Sequence, residues 1–155
     1  MWATLARRAA ARPWAENRRL ITATLLVVLA RGSLRLRFTR LVALLRLAPG
    51  ATPEQVDERS RVQAEAIGRS VRAVAHRLPG TTTCLAQAIA GSALLSLRGI
   101  ESTVTLGVAR DGTAPQGLAA HAWLRCGDEL LTGGEGHERF VPVASYASAP
   151  RARRA

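Results

Sequence analysis

Residues 84–99 read CLAQAIAGSALLSLRG, and residues 119–126 read AAHAWLRC. The first stretch places apolar side chains at helical spacing and ends at Gly99, which predicts a buried helix that begins at Cys84 and is closed by a glycine. The second stretch is rich in strand-forming residues around His121 and predicts a β-strand. The two stretches together predict a core in which a cysteine at a helix N-terminus precedes a strand that carries a histidine.

Short strands surround this pair in the C-terminal half. A strand is predicted over Ser102–Val108, and residues 111–118 form a loop that contains glycine and proline. Gly127-Asp128 is the turn between the His121 strand and a further strand over Glu129–Thr132. A last short strand is predicted over Phe140–Val143.

Helices are predicted for the N-terminal half. They span residues 4–30, with a break at Arg12-Pro13, then residues 34–45, and then the stretch from Thr52, as an N-cap, to His76. The chain therefore divides into an arginine-rich helical extension over 1–78, a core over 79–146 and a basic tail over 147–155.

Positive charge is concentrated in the N-terminal half. All 22 basic residues are arginine, and 15 of them, against 5 acids, lie in residues 1–80. These arginines alternate with leucines over residues 18–47, as in helices that lie at a membrane surface. The arginines are not interleaved with aromatic residues, and no known nucleic-acid-binding motif accompanies them. Nucleic acid is therefore not a predicted partner. Two alternatives remain. The arginine-rich face docks a partner protein through Arg35, Arg37 and Arg40, or it is only solvated.

Cysteine usage and the N-terminus predict a cytoplasmic protein. Two cysteines, Cys84 and Cys126, make no disulfide framework. Arginines occupy the N-terminal positions where a signal peptide needs its apolar region. The longest apolar run, Leu20–Ala30, has eleven residues and is too short to cross a bilayer.

Cys84 and His121 are the candidate catalytic residues. A helix N-terminus favours the thiolate, which is the nucleophilic form of cysteine. A nearby imidazole would take the thiol proton and later give it to a leaving amine. The alternatives are that Cys84 is a small buried hydrophobe and that His121 is a structural histidine.

The residue that orients the imidazole is less well defined by the pattern. Glu135 follows the next strand and could fold back towards His121, whereas Asp128 is explained by turn chemistry. Cys126 stands at odd spacing from His121 and should face the other side of the strand, as a structural residue. No metal site and no cofactor are predicted, because zinc would need four ligands from scattered positions.

The ordered motifs resemble one family. They are Cys84-Leu85-Ala86-Gln87-Ala88, the run 94–100, Leu106-Gly107-Val108 and Ala120-His121-Ala122-Trp123. This set is similar to the stand-alone leader peptidases of lasso-peptide biosynthesis over about residues 79–143. The resemblance implies an α+β fold with a transglutaminase-like or papain-like core, in which a nucleophile helix packs on a small antiparallel sheet.

The resemblance also implies a reaction and partners. Such peptidases cut a ribosomally made precursor between leader and core, and a separate ATP-dependent macrolactam synthetase joins the freed amine to an acidic side chain. A small recognition protein presents the leader in split systems, and this chain is expected to be of the split form. Cys84 and His121 take the positions of nucleophile and base. The family's aspartate is replaced here by Thr132-Gly133-Gly134, which leaves Glu135 as the nearest acid.

Overall fold

The computed structural model describes residues 14–33, 42–43 and 45–148, which contain three α-helices and five β-strands. The helices are α1 (Trp14–Ser33), α2 (Glu58–Arg77) and α3 (Cys84–Ser96). The strands are β1 (Leu47–Pro49), β2 (Ser102–Arg110), β3 (Leu118–Cys126), β4 (Glu129–Thr132) and β5 (Val141–Ser148). Short 3-10 helices cover Pro115–Gly117 and His137–Arg139. The architecture is α+β, as predicted.

The five strands form one antiparallel sheet in the order β1-β5-β2-β3-β4. β5 comes last in the chain but lies between β1 and β2. Its register with β2 shifts between Leu106 and Gly107, which marks a bulge. β3 pairs with β2 over its whole length and with β4 at its C-terminal end.

The three helices share one hydrophobic core with the sheet. α3 packs against β2, β3 and β4, α2 packs against α3 and β4, and α1 packs against α2 and α3. Fully buried side chains come from every layer: Val27, Ile67, Val71, Leu95, Val104 and Leu124. Burial of a side chain of this size stabilises the fold by roughly 1.5–3 kcal/mol, so the segments before and after residue 79 depend on each other.

Helix α3 begins and ends where the sequence predicts. The Oγ1 of Thr83 accepts a hydrogen bond from the N–H of Ala86 at 3.2 Å, which is an N-cap. Gly99 follows the last turn with φ of 72°, a left-handed conformation that glycine adopts without strain. Gly91 lets the helix approach the sheet, because a Cβ at this position would lie 2.5 Å from Cδ2 of Leu124.

Two predicted boundaries are wrong for physical reasons. Thr52 does not cap a helix: its N–H and Oγ1 both contact Oγ1 of Thr103 at 2.9 Å, and Asp57 caps α2 through the N–H of Ser60. The hydroxyl of Ser60 and then this backbone N–H hold the pKa of the Asp57 carboxyl below its ordinary value. The strand predicted over Phe140–Val143 instead runs to Ser148, because pairing with both β1 and β2 extends it.

Several predictions concern residues outside the described ranges. They are the helix before residue 14 with its break at Arg12-Pro13, most of the helix over 34–45 with Arg35, Arg37 and Arg40, and the tail from residue 149. Across residues 14–33, 42–43 and 45–148, no helix combines the length and hydropathy that a bilayer crossing requires.

Candidate active site

Cys84 is the first residue of α3 and is half-buried, with its side chain packed against the core. The Oγ1 of Thr83 accepts a hydrogen bond from the N–H of Ala86, and the carbonyl oxygen of Thr83 accepts one from the N–H of Gln87 at 3.1 Å. Within the described residues, no hydrogen bond is made by the N–H of Cys84. This N–H and the helix dipole therefore remain available to an anion at the start of α3.

The imidazole of His121 is held by a backbone carbonyl. Its Nε2 lies 2.8 Å from the carbonyl oxygen of Gly133. A carbonyl oxygen only accepts hydrogen bonds, so Nε2 carries a hydrogen and donates it. In the neutral ring Nδ1 is then unprotonated, and this nitrogen is a proton acceptor.

Aromatic side chains enclose the same ring. The Phe140 ring stacks on the imidazole with a centroid separation of 4.9 Å, and the Trp123 ring lies 6.1 Å away. Trp123 and Phe140 are both nearly buried, at 6% and 8% exposure. His137 meets the edge of Trp123 at 5.6 Å and so supports this wall. The packing limits rotation of the imidazole and keeps Nε2 directed at Gly133.

Contacts in the C-terminal half of α3 hold the helix on the sheet. Gly91 meets Leu124, and Ser92 lies 3.3 Å from Ser102 at the start of β2, so the C-terminal half of α3 covers the end of β3. Cys84 is about 10 Å back along the helix from Gly91. His121 lies about 10 Å from Leu124 along β3, on the opposite face of the strand.

The structure does not join the thiol and the imidazole by a hydrogen bond. Of the hydrogen bonds among the described residues, none links the Sγ of Cys84 to His121. Ala122 and Leu124 belong to the helix-covered core, so alternation places His121 on the other face of β3. The helical cover ends before Ala120 and Leu118, which are exposed. The imidazole therefore lies on the face of β3 that points away from α3, near the end of the helical cover.

The other predicted residues have distinct positions. Glu135 is exposed, two residues beyond Gly133, and makes no hydrogen bond to His121 within the described part of the chain. Asp128 is exposed in the turn between β3 and β4. Cys126 is fully buried in the helix-covered core, on the face opposite His121, and burial raises the pKa of its thiol.

The sequence pattern does not identify Gly133 and Phe140 as partners of the imidazole. Gly133 has φ of 68°, and a Cβ there would lie 2.3 Å from the carbonyl oxygen of Ala122. Only a glycine brings the chain this close to β3. Its position twelve residues after His121 was a usable signal, but a glycine has no side chain to suggest a role. The pattern predicts a strand from Phe140, but β5 begins one residue later, at Val141.

Two buried hydroxyls lie next to this region. The Oγ1 atoms of Thr82 and Thr132 have no hydrogen-bond partner among the described residues. Thr82 precedes the cap of α3, and Thr132 precedes Gly133. No cluster of three or more His, Cys, Asp or Glu side chains suited to a metal ion occurs within residues 14–33, 42–43 and 45–148.

Comparison with known proteins gives one match. The family model described as the transglutaminase-like superfamily matches residues 23–145. This range contains all five strands up to Ser145, α2, α3 and most of α1. Searches of the curated proteins and of the solved structures gave no significant match.

Proposed function

The chain belongs to the transglutaminase-like superfamily, whose fold is commonly that of cysteine proteases, and we propose that it is a cysteine endopeptidase. Its proposed substrate is a ribosomally made lasso-peptide precursor, which it cuts between leader and core. The observation that carries the catalytic part is the hydrogen bond from Nε2 of His121 to Gly133. This bond selects the tautomer in which Nδ1 is the base.

In the proposed reaction, Nδ1 of His121 takes the thiol proton and Sγ of Cys84 attacks the scissile carbonyl carbon. The N–H of Cys84 stabilises the oxyanion of the tetrahedral intermediate. Collapse of that intermediate breaks the peptide bond, and the imidazolium gives its proton to the departing core amine. Water then hydrolyses the thioester, which releases the leader with a free carboxylate and restores the thiol.

The carbonyl of Gly133 takes the role of orienting group in this proposal. It fixes the tautomer as a carboxylate would, but it carries no full charge to stabilise the imidazolium. Glu135 is close along the chain but exposed, and its carboxylate makes no hydrogen bond to the ring within the described residues. The proposed site is therefore a Cys–His pair with a backbone acceptor.

The choice of substrate rests on the motifs of the chain. The Cys-Leu-Ala-Gln start of α3 and the His-Ala-Trp stretch of β3 have the order and spacing of stand-alone leader peptidases. We propose three partners on the same ground: the precursor peptide, a leader-recognition protein and an ATP-dependent macrolactam synthetase. The exposed start of β3, at Leu118 and Ala120, offers room beside the site for an extended peptide.

A second candidate function is a non-catalytic module that binds a membrane surface or a partner. The exposed aliphatic side chains of α1 favour it. Reconstitution separates the two functions. The purified chain, the precursor and the recognition protein are incubated together, and the products are weighed by mass spectrometry. A peptidase yields a leader with a free carboxylate and a core with a free amine, whereas a binding module leaves the precursor intact.

His121→Ala should lower kcat/KM for precursor cleavage by at least about a thousandfold, because base and nucleophile act as a unit. Glu135→Gln should leave kcat/KM within about twofold of the wild type, because an exposed side chain that does not touch the ring contributes little. Initial rates at matched folded concentration provide the test. A loss in Glu135→Gln comparable to that in His121→Ala would return the orienting role to Glu135.

The proposed thiol–imidazole pair should also be visible without substrate. At pH 6 we expect iodoacetamide to alkylate Cys84 at least about tenfold faster in the wild type than in His121→Ala, because the imidazole stabilises the thiolate. Peptide mapping assigns the labelled residue, and buried Cys126 should stay unlabelled in the folded protein. Equal slow rates in the two proteins would show that the thiol and the imidazole do not interact.

A further inference from the structure

Helix α1 packs one face on the core, with Leu20 and Leu26 partly buried there, and leaves four large aliphatic side chains exposed on another face. Its buried residues are Ala23, Val27 and Ala30, each at most 4% exposed. The exposed set consists of Ile21 at 58%, Leu25 at 60%, Val28 at 51% and Leu29 at 64%. A helix that is apolar on all sides is normally covered on all sides in a soluble protein.

The four exposed side chains form one continuous surface, which we call the α1 stripe (Ile21, Leu25, Val28 and Leu29). At 3.6 residues per turn they fall within an arc of about 100° and extend for about 12 Å along the helix. Scattered single hydrophobic residues on a surface need no explanation, but a contiguous set of this kind marks an interaction site.

Arginines border the α1 stripe. Arg18 is exposed and lies one turn before Ile21 on the same arc. On one side is a cleft of about 500 Å³, lined by Arg18, Arg19, Thr22, Gln63 and Arg98. On the other side Arg31 donates to the carbonyl of Pro79 at 2.9 Å. The sequence of α1 contains one acid, Glu16, which lies before the α1 stripe.

We propose that the α1 stripe docks the protein on an anionic lipid bilayer. An aliphatic surface with a cationic border matches the boundary between acyl chains and acidic headgroups. The charge supports this choice over a neutral surface, since residues 1–80 carry 15 arginines against 5 acids. The helix would lie in the plane of the membrane.

Vesicle sedimentation tests this proposal. The full chain is mixed with sucrose-loaded vesicles of phosphatidylglycerol and phosphatidylcholine, or of phosphatidylcholine alone. We expect binding to the anionic vesicles, weaker binding at high salt and little binding to the neutral ones. Leu25→Gln with Leu29→Gln should lower the partition coefficient at least about tenfold. Arg18→Gln should lower it about fivefold at low salt.

The matched control is Val141→Gln with Val143→Gln, two β5 residues of similar exposure, at 66% and 59%. This variant should bind anionic vesicles as the wild type does. The proposal is overturned if the wild type does not bind them, or if the Leu25/Leu29 variant, folded by circular dichroism, binds equally well. It is also overturned if the wild type is a dimer that this variant dissociates, because a second copy would then cover the α1 stripe. Precursor cleavage without vesicles should be the same in the Leu25/Leu29 variant and the wild type. Failure of the membrane proposal can therefore be distinguished from failure of the peptidase proposal.

Discussion

Cys84→Ala should abolish precursor cleavage, with a fall of at least about 10⁴-fold in kcat, while the protein stays folded. The side chain is half-buried at the start of α3, and alanine fits both the helix and the neighbouring core. Since no other described group near the helix N-terminus is a thiol, the covalent step has no substitute. Mass spectrometry of the precursor digest, with circular dichroism of the variant, gives the answer.

Cys126→Ala is the matched control, because it removes the other cysteine without touching the site. Cys126 is fully buried on the opposite face of β3, and its neutral thiol is the favoured form. We expect cleavage within a few-fold of the wild type and a loss of stability of about 1 kcal/mol from the small cavity. Full cleavage by folded Cys84→Ala would rule out the thiol mechanism.

Gly133→Ala should damage both the fold and the site. The left-handed φ of 68° disfavours alanine by roughly 1–2 kcal/mol. The added Cβ would also lie 2.3 Å from the carbonyl oxygen of Ala122. Relief of this overlap must move the chain away from β3, which takes the Gly133 carbonyl away from Nε2 of His121. We expect a further loss of about 1–3 kcal/mol and a marked fall in kcat at temperatures where the variant is folded.

Gly136→Ala separates the conformational cost of a left-handed φ from the steric overlap that a Cβ at Gly133 would cause. Gly136 has φ of 69°, nearly the same as Gly133, but a Cβ there would meet no atom within 4 Å. This variant should therefore show only the conformational cost and should retain activity. Chemical denaturation gives the two free energies of unfolding, and initial rates give the activities. If Gly133→Ala cleaves the precursor as fast as Gly136→Ala does, the Gly133 carbonyl is not needed to orient the imidazole.

Local patterns were sufficient for the parts of the fold that are decided locally. The start of α3 at Cys84, the glycine after α3, the turn at Gly127-Asp128 and the limits of β4 all follow from nearest-neighbour chemistry. Pairing partners are decided at long range, and these were missed. Strand β1 has only three residues and ends in proline, so nothing in its own composition predicts that it pairs with β5.

The candidate site also has one part that the local sequence identifies and another that depends on long-range contacts. Residue type and spacing identified Cys84 and His121, because thiols and imidazoles carry recognisable chemistry. The group that holds the imidazole is a main-chain carbonyl, which every residue possesses, so no side-chain pattern could identify Gly133. The enclosing ring of Phe140 reaches His121 across the sheet from the chain before β5. That contact depends on the order of strands, which composition does not reveal.

The position of β5 has a consequence for how the protein is made. The ribosome synthesises this strand after all the others, yet its neighbours in the sheet are β1 and β2. Until residues 141–148 emerge, β1 has no strand to join and β2 lacks one of its two partners. Phe140, which stacks on His121, is equally late. A nascent chain can therefore hold Cys84 and His121 for some time before the sheet beside them is complete, and activity should arise only after residues 141–148 have been synthesised.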